Sequence, residues 1–288
     1  MQIIHTISEL RSALATRTGI ALVPTMGNLH AGHMHLVELA KQHAPCVVVS
    51  IFVNPLQFGA NEDLANYPRT LEADCEKLKA AGADFVFAPA VTDMYPDFNA
   101  ATNNLGQSMT INAPPIANEL CGASRPGHFD GVATVVMKLF NIVMPRIAVF
   151  GKKDFQQLFI IRELVRQFNL PIEIIAGDTV REASGLAMSS RNGYLTPEQK
   201  AHAAMLHNCL KQIVSSIQQG YGDYAALEQV TAKTLNNNGW QTDYVSVRSA
   251  RTLLPASKEE SDLVVLAAAK IGSTRLIDNI EFATKTHN

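Results

Sequence analysis

Cysteine is scarce in this 288-residue chain: Cys46, Cys75, Cys121 and Cys209 stand far apart, and no two form a CxxC pair. That spacing argues against a zinc site and offers no disulfide framework. Cys46 opens an apolar run, and Cys75 shares a helical stripe with Leu71 and Leu78, so both read as core thiols of a reducing compartment. Charge is also sparse. Only 17% of residues are charged, 24 basic against 26 acidic, for a net charge of −2. Such a balance gives no global attraction to nucleic acid or an anionic membrane, so any phosphate binding must be local. No apolar run approaches the ~20 residues of a membrane span. The opening Met1-Gln2-Ile3-Ile4-His5 lacks a basic stretch followed by an apolar one, so no signal peptide is expected. A cytoplasmic protein, without membrane or nucleic-acid partners, is the expectation. The chain also lacks a GxxxxGK(S/T) Walker loop, an HExxH zinc pattern, a GxSxG elbow and a GxGxxG dinucleotide turn.

What is present is core-forming sequence: 47% of residues are hydrophobic, enough for one large or two ordinary domains. Strand-like runs fall at residues 20–24, 46–53, 85–88, 147–150 and 172–175, with helical periodicity over 68–81, 132–141 and 155–168. Strands alternating with helices imply an α/β fold with a parallel sheet, whose ligands bind at the carboxyl ends of the strands. The texture changes after Arg191. Thr196-Pro197-Glu198-Gln199 forms a capping box that opens a long helix to about residue 219. A second helix over 224–237 and strand-like runs at 244–247, 263–267 and 274–280 follow. A boundary near Asp178 is expected, giving a first domain over 1–178 and a smaller α+β domain over 179–288. Residues 99–118, rich in Asn, Ala and Pro, read as loop.

Polar residues gather where the strands of the first domain end. The first strand runs into Pro24-Thr25-Met26-Gly27-Asn28-Leu29-His30-Ala31-Gly32-His33, a strand, a turn and a helix start. Free N–H groups and the helix dipole favour anions there. His30 and His33 read either as helix-start residues, one capping and one exposed, or as a phosphate clamp. His35 reads as a helix-face residue. Further along come Asn54 and Gln57, then Gly151-Lys152-Lys153-Asp154 with Gln157 just beyond. Lys153 suits a phosphate, while Asp154 suits a helix cap or a nucleotide contact. Met188-Ser189-Ser190-Arg191, preceded by Gly185, offers two hydroxyls and a guanidinium as a phosphate-closing flap, or is a plain polar linker. Neutral amides at Gln57 and Gln157 suit a small hydroxy acid, and Asn54 suits either the turn or the acid. Arg125 and His128 flank a Pro-Gly turn and read as structural or as cleft residues.

HxGH at the first strand–helix turn, with a Ser-containing loop further on, resembles the nucleotidylyltransferase and class I aminoacyl-tRNA synthetase superfamily. Within it, the turn from Pro24 to His33 and the run Ser50-Ile51-Phe52-Val53-Asn54-Pro55-Leu56-Gln57-Phe58-Gly59 resemble the pantothenate synthetase family. So do Tyr67-Pro68-Arg69-Thr70, Arg125-Pro126-Gly127-His128-Phe129 and Gly151-x-Lys153-Asp154-x-Gln156-Gln157. The segments Gly185-Leu186-Ala187-Met188-Ser189-Ser190-Arg191-Asn192 and Thr274-Arg275-Leu276-Ile277-Asp278-Asn279 extend the likeness over nearly the whole chain. The resemblance implies a Rossmann-like domain with a smaller hinged domain, a homodimer, and ATP- and Mg2+-dependent joining of pantoate to β-alanine through pantoyl adenylate. It implies ATP contacts from Met26, Gly27, His30, His33, Gly151, Lys153, Asp154, the backbone at Val180, Met188, Ser189, Ser190 and Arg191. Of these, His33, His30, Lys153 and Arg191 are expected to act in catalysis, with His33 as the family's proton donor. Gln57 and Gln157 are expected to hold pantoate, with Gln57 near β-alanine, and Asn54 and Arg125 to assist; metal ligands are not assigned. Two departures stand out: Leu120-Cys121-Gly122 where the family has Leu-Glu-Gly, and Lys152 where it often has Glu. Two other readings stay open, a nucleotidylyltransferase whose product keeps the nucleotide and a non-catalytic ATP sensor.

Overall fold

Short runs of β-branched and aromatic residues build the first sheet. Its strands are β1 (Gln2–Ile4), β2 (Ile20–Thr25), β3 (Cys46–Ile51), β4 (Phe85–Phe87), β5 (Ile147–Gly151) and β6 (Glu173–Gly177). All pair in parallel, in the order β1-β4-β3-β2-β5-β6. The computed structural model describes residues 1–59, 64–65 and 67–284. Helices α1 (Ile7–Leu14), α2 (Ala31–His43), α3 (Leu71–Ala80), α4 (Val91–Met94), α5 (His128–Val143) and α6 (Phe155–Gln167) lie between the strands in sequence. Because a parallel sheet is covered on both faces, its strands read as continuous apolar runs with side chains alternating between two cores. Leu22 and Val48 join Leu10 and Leu14 of α1, Val136 and Phe140 of α5, and Leu158 and Ile161 of α6. Ala21, Val23, Val47 and Val49 join Val37 and Ala40 of α2 and Cys75 and Leu78 of α3.

The strand order creates the site. From β2 the chain crosses to β3 on one side, whereas from β5 it crosses to β6 on the other. Adjacent strands whose connections diverge leave a crevice at their carboxyl ends. The turn carrying His30 and His33 leaves β2 there, and Gly151 closes β5 there.

Several elements differ from the sequence reading. β1 and α1 were not expected: the three residues of β1 are too few to show a period, and the eight of α1 make little more than two turns. Thr6 does cap α1, its Oγ1 accepting from Glu9 N at 3.3 Å, and β1 adds to the sheet beside β4. The second expected strand stops at Ile51, because Asn54 caps a 3-10 turn over Pro55–Gln57. Helix α5 begins at His128 rather than near residue 132, directly after Gly127.

The chain divides into two compact units, Met1–Lys152 with Gln157–Asp178, and Lys153–Gln156 with Thr179–Asn288. The second contains α7 (Pro197–Gln218), α8 (Tyr224–Asn237) and an antiparallel sheet β7 (Trp240–Ser249), β8 (Asp262–Ile271) and β9 (Thr274–Ala283), in that order. The expected capping box opens α7, with Thr196 Oγ1 accepting from Gln199 N at 3.2 Å and Gln199 Oε1 from Thr196 N at 3.0 Å. Leu206, Leu210 and Ile213 of α7 pack with Leu235 of α8 and with Leu263, Val265 and Ala267 of β8. The fold is therefore α/β with a small α+β part, as the periodicity implied. Among the described residues, no helix is long and apolar enough to cross a membrane.

Candidate active site

Two consecutive residues of the β2–α2 turn, Gly27 and Asn28, have φ of +85° and +51°. Glycine enters this left-handed region without steric penalty, and asparagine tolerates it. A Cβ at Gly27 would in addition lie 3.2 Å from Ile51 Cγ2 and 3.3 Å from Asp74 Oδ2. The turn is held by Asp74, a fully buried carboxylate on α3. Its Oδ2 accepts from Asn28 N and its Oδ1 from Leu29 N, each at 2.8 Å, and Thr70 Oγ1 donates to Oδ2 at 3.0 Å. One turn along α3, Lys77 Nζ donates to Leu29 O at 2.7 Å and stands 3.8 Å from Asp74 Oδ1. The charged pair thus grips both the donors and an acceptor of the turn.

That grip delivers His30 and His33 to the first turn of α2. His30 is the N-cap, and its Nδ1 accepts from Gly32 N at 3.1 Å. His33 reciprocates, its Nδ1 accepting from His30 N at 3.3 Å. The rings lie 4.1 Å apart, tilted by 47°. Both Nδ1 atoms accept from backbone N–H groups, so each neutral ring carries its proton on Nε2. The cap therefore fixes the tautomer, leaving each ring a donor from Nε2. The first turn of α2 contains no acidic residue, so nothing on the helix offsets the positive end of its dipole. Both histidines cap; neither is the merely exposed residue that the blander reading offered.

Gln57 ends the 3-10 turn that follows β3, braced by polar contacts, and is 8% exposed. Its Nε2 lies 3.1 Å from Met26 Sδ, and its Oε1 accepts from Asn54 Nδ2 at 3.2 Å. Asn54, 1% exposed, also donates to Gly131 O at 3.2 Å and accepts from Leu56 N and, at 2.5 Å, from Tyr95 Oη. Burial pushes the Tyr95 hydroxyl pKa up, which keeps it a donor. Of the two roles open to Asn54, this bonding supports anchoring the turn. Arg125 and His128 brace the same turn: Arg125 Nη1 donates to His128 Nε2 at 2.9 Å, so His128 Nδ1 donates to Gln57 O at 2.8 Å. Gln157 is half-buried in the first turn of α6.

Helix α5 approaches this turn through Gly131. A Cβ there would lie 2.5 Å from Leu56 O and 2.7 Å from Gln57 Cα, both backbone atoms. Gly131→Ala is expected to displace the Leu56–Gln57 backbone and destabilise the protein by about 1–3 kcal/mol. Urea unfolding will check this, and an unchanged midpoint would contradict the close approach.

Lys152, the departure from the family pattern, pairs with Asp178 at 2.8 Å, and that contact lowers the Asp178 pKa. Its added charge is thereby matched by a neighbouring carboxylate.

The second unit carries the remaining expected residues. Lys153 Nζ stands 3.5 Å from Asp154 Oδ2 in a 3-10 turn over Lys152–Asp154. Val180 to Met188 folds back as a hairpin: Met188 N donates to Val180 O at 2.9 Å, Glu182 N to Leu186 O at 2.8 Å, and Arg181 bridges Ala187. Ser189 then caps the turn Ser190–Tyr194, its Oγ accepting from Arg191 N at 3.2 Å. The Ser-Ser-Arg segment is thus a tied hairpin end rather than an open linker.

Arg181, Asp278 and Asn279 brace it, and sequence reasoning gave them no role. Asp278 on β9 takes a bidentate fork from Arg181 at 2.7 and 2.9 Å, with His207 Nδ1 at 3.2 Å. Burial pushes the Asp278 carboxyl up, but contact with His207 and the Arg181 fork outweigh it and hold the pKa below the usual aspartate range. A carboxylate depressed in the folded state stabilises fully above its ordinary value of about 3.9 and loses this as pH falls through the folded value. Asp278→Asn is therefore expected to destabilise the protein by about 3 kcal/mol at neutral pH. That gap in thermal stability should narrow below about pH 3.9. An acid-independent gap would contradict the ion-pair account.

Comparison with known proteins decides the family. The sequence profile described as pantoate-beta-alanine ligase matches residues 2–281. The chain belongs to the pantoate–β-alanine ligase family. The pantothenate synthetase of Methylobacillus flagellatus is 68% identical over 98% of this chain and 99% of its own length. That of Thiobacillus denitrificans is 56% identical over 98% and 97%. A crystal structure of the Thermus thermophilus enzyme superimposes with a TM-score of 0.90 at 43% identity, covering 97% of this chain and 99% of that one. The Francisella tularensis pantoate-beta-alanine ligase, crystallised with beta-gamma ATP and beta-alanine, matches with a TM-score of 0.77 at 34% identity, covering 97% of both chains. This pantoate–β-alanine ligase is accordingly an enzyme of pantothenate biosynthesis, and its reaction is the ATP-dependent condensation of pantoate with β-alanine.

Proposed function

We propose that the ligase works in two steps through an enzyme-held pantoyl adenylate. A pantoate carboxylate oxygen attacks the α-phosphorus of ATP, and the bond to the β-phosphate breaks to release pyrophosphate. The β-alanine amine then attacks the acyl carbon, the bond to AMP breaks, and the amine gives up a proton as pantothenate forms. The observation that carries this reading is the reciprocal His30–His33 cap at the divergence of β2 and β5. Two Nε2–H donors at a helix N-terminus suit the negative charge that builds on the phosphates, and preorganised donors of this kind are worth ~3–4 kcal/mol each. Pyrophosphate is a good leaving group, so His33 serves as a charge stabiliser rather than a required acid.

Met26, Gly27 and Gly151 bring the backbone close to ATP, Lys153, Arg191, Ser189 and Ser190 suit its phosphates, and Asp154, Met188 and the Val180 backbone are the remaining nucleotide contacts. Gln57 and Gln157 hold pantoate, Gln57 also lies near β-alanine, and Asn54 and Arg125 keep Gln57 in place. Among the described residues no group of three or more His, Cys, Asp or Glu is arranged as a metal cage. Mg2+ then enters with the ATP phosphates, the usual mode for an ion that retains most of its waters. A cytoplasmic homodimer completes the reading, and sedimentation at several concentrations tests the assembly.

The deciding experiment is pyrophosphate release with and without pantoate. Release that needs pantoate, and pantothenate and AMP that appear only with β-alanine, support the reading. AMP retained in the final product, or ATP binding without turnover, overturns it in favour of a nucleotidylyltransferase or a sensor.

A further inference from the structure

The segment Thr274–Asn279 also resembles the family, yet the proposed chemistry leaves it without a task. Its last two residues sit inside β9, which pairs with β8 along ten consecutive positions, Asp278 opposite Ala267 and Asn279 opposite Leu266. Both side chains are buried. Asn279 Nδ2 donates to Lys153 O at 2.8 Å, and its own N–H donates to Asp278 Oδ1 at 2.8 Å. Asp278 takes the Arg181 fork, and the same Arg181 Nη1 donates to Gly185 O at 3.1 Å, closing the hairpin turn. Arg181 Nη2 also reaches Asn279 O at 3.4 Å. Two neighbouring residues on one well-paired strand therefore fasten two segments far apart in sequence. One carries Lys153, and the other ends in Met188-Ser189-Ser190-Arg191.

We propose that Asp278 and Asn279 are positioning residues for the reaction: Asn279 sets Lys153 through its main-chain carbonyl, and Asp278 sets the Val180–Met188 hairpin through Arg181. The proposal rests on Lys153 and Arg191 serving the ATP phosphates. Asn279 is suited to the task because its amide donates where a carboxylate of the same shape can only accept. A lysine side chain moved by about 1 Å at its root loses up to about 10²-fold in rate, since adenylation depends on fixed geometry.

The test compares Lys153→Ala, Asn279→Asp, Asn279→Ser and the Lys153→Ala/Asn279→Asp double variant in single-turnover pyrophosphate release, with thermal melts alongside. Asn279→Asp is expected to slow adenylation about 10²-fold and Asn279→Ser less, both leaving the KM for β-alanine unchanged. In the Lys153→Ala background, Asn279→Asp should add little further loss, because both changes remove the same placed ammonium group. General loosening of the fold would instead multiply the two losses. Wild-type adenylation in both Asn279 variants, or full multiplication in the double variant, overturns the proposal. If Lys153→Ala itself reacts at the wild-type rate, the reading of Lys153 falls and this proposal with it. A slow Lys153→Ala beside normal Asn279 variants removes the proposal alone.

Discussion

His33→Ala is expected to slow adenylation by about 10²- to 10³-fold in single-turnover assays, with far less effect on folding. The asymmetry follows from magnitudes. The bond from His30 N to His33 Nδ1 is 3.3 Å long and only part-buried, so losing it costs about 1 kcal/mol of stability. Such a loss cannot account for a rate change of that size in a protein that stays folded. Loss of the phosphate donor proposed for this ring can. His33→Asn separates the two contributions. Its amide oxygen restores an acceptor for the His30 N–H, and its short side chain does not reproduce the Nε2 donor. Stability should recover while the rate does not. A rate for His33→Ala within tenfold of wild type would remove this ring from the chemistry.

The second large effect belongs to Asp74, for which no substrate contact is proposed. Asp74→Asn preserves shape but replaces one oxygen with an NH2 group. Only one of the two backbone donors, Asn28 N or Leu29 N, keeps its acceptor, and the other meets a second donor. Asp74 is wholly buried, so water does not soften the loss. Charge-assisted bonds and a stranded buried N–H together imply about 2–4 kcal/mol, to be read from the urea midpoint. Because the same bonds aim the His30–His33 turn, adenylation should also fall by about tenfold or more at temperatures where the variant is fully folded. Unchanged urea unfolding would refute the bracing role; normal adenylation in a destabilised variant would show that the turn holds its shape without it.

Features governed by local periodicity were legible in the sequence. Continuous apolar runs gave the inner strands, and the alternation of strands and helices gave the parallel sheet. Met26, His30, Asn54, Gln57 and Gly151 all stand at or just beyond carboxyl ends of its strands, which the sequence order already showed. Other features hinge on partners distant along the chain. Asp74 lies 46 positions from Asn28, Asn279 lies 126 from Lys153, and Asp278 lies 97 from Arg181. Nothing in the spacing of an aspartate on a helix announces which turn it will grip. The likeness of residues 274–279 to the family marked a segment without supplying a task. Lys152 shows the opposite case. The sequence displayed an added positive charge, and the fold supplied Asp178 as its counterpart.

The paired histidine cap has a consequence for anyone seeking to harden this enzyme. Serine, aspartate and asparagine are the favoured residues at the position His30 occupies. A search guided by folding free energy alone will select them, and under the proposed function the improved protein will have lost half of its phosphate clamp. On that reading heat tolerance in this ligase has to be sought at sites other than the start of α2, where a gain in helix capping is a subtraction from the reaction.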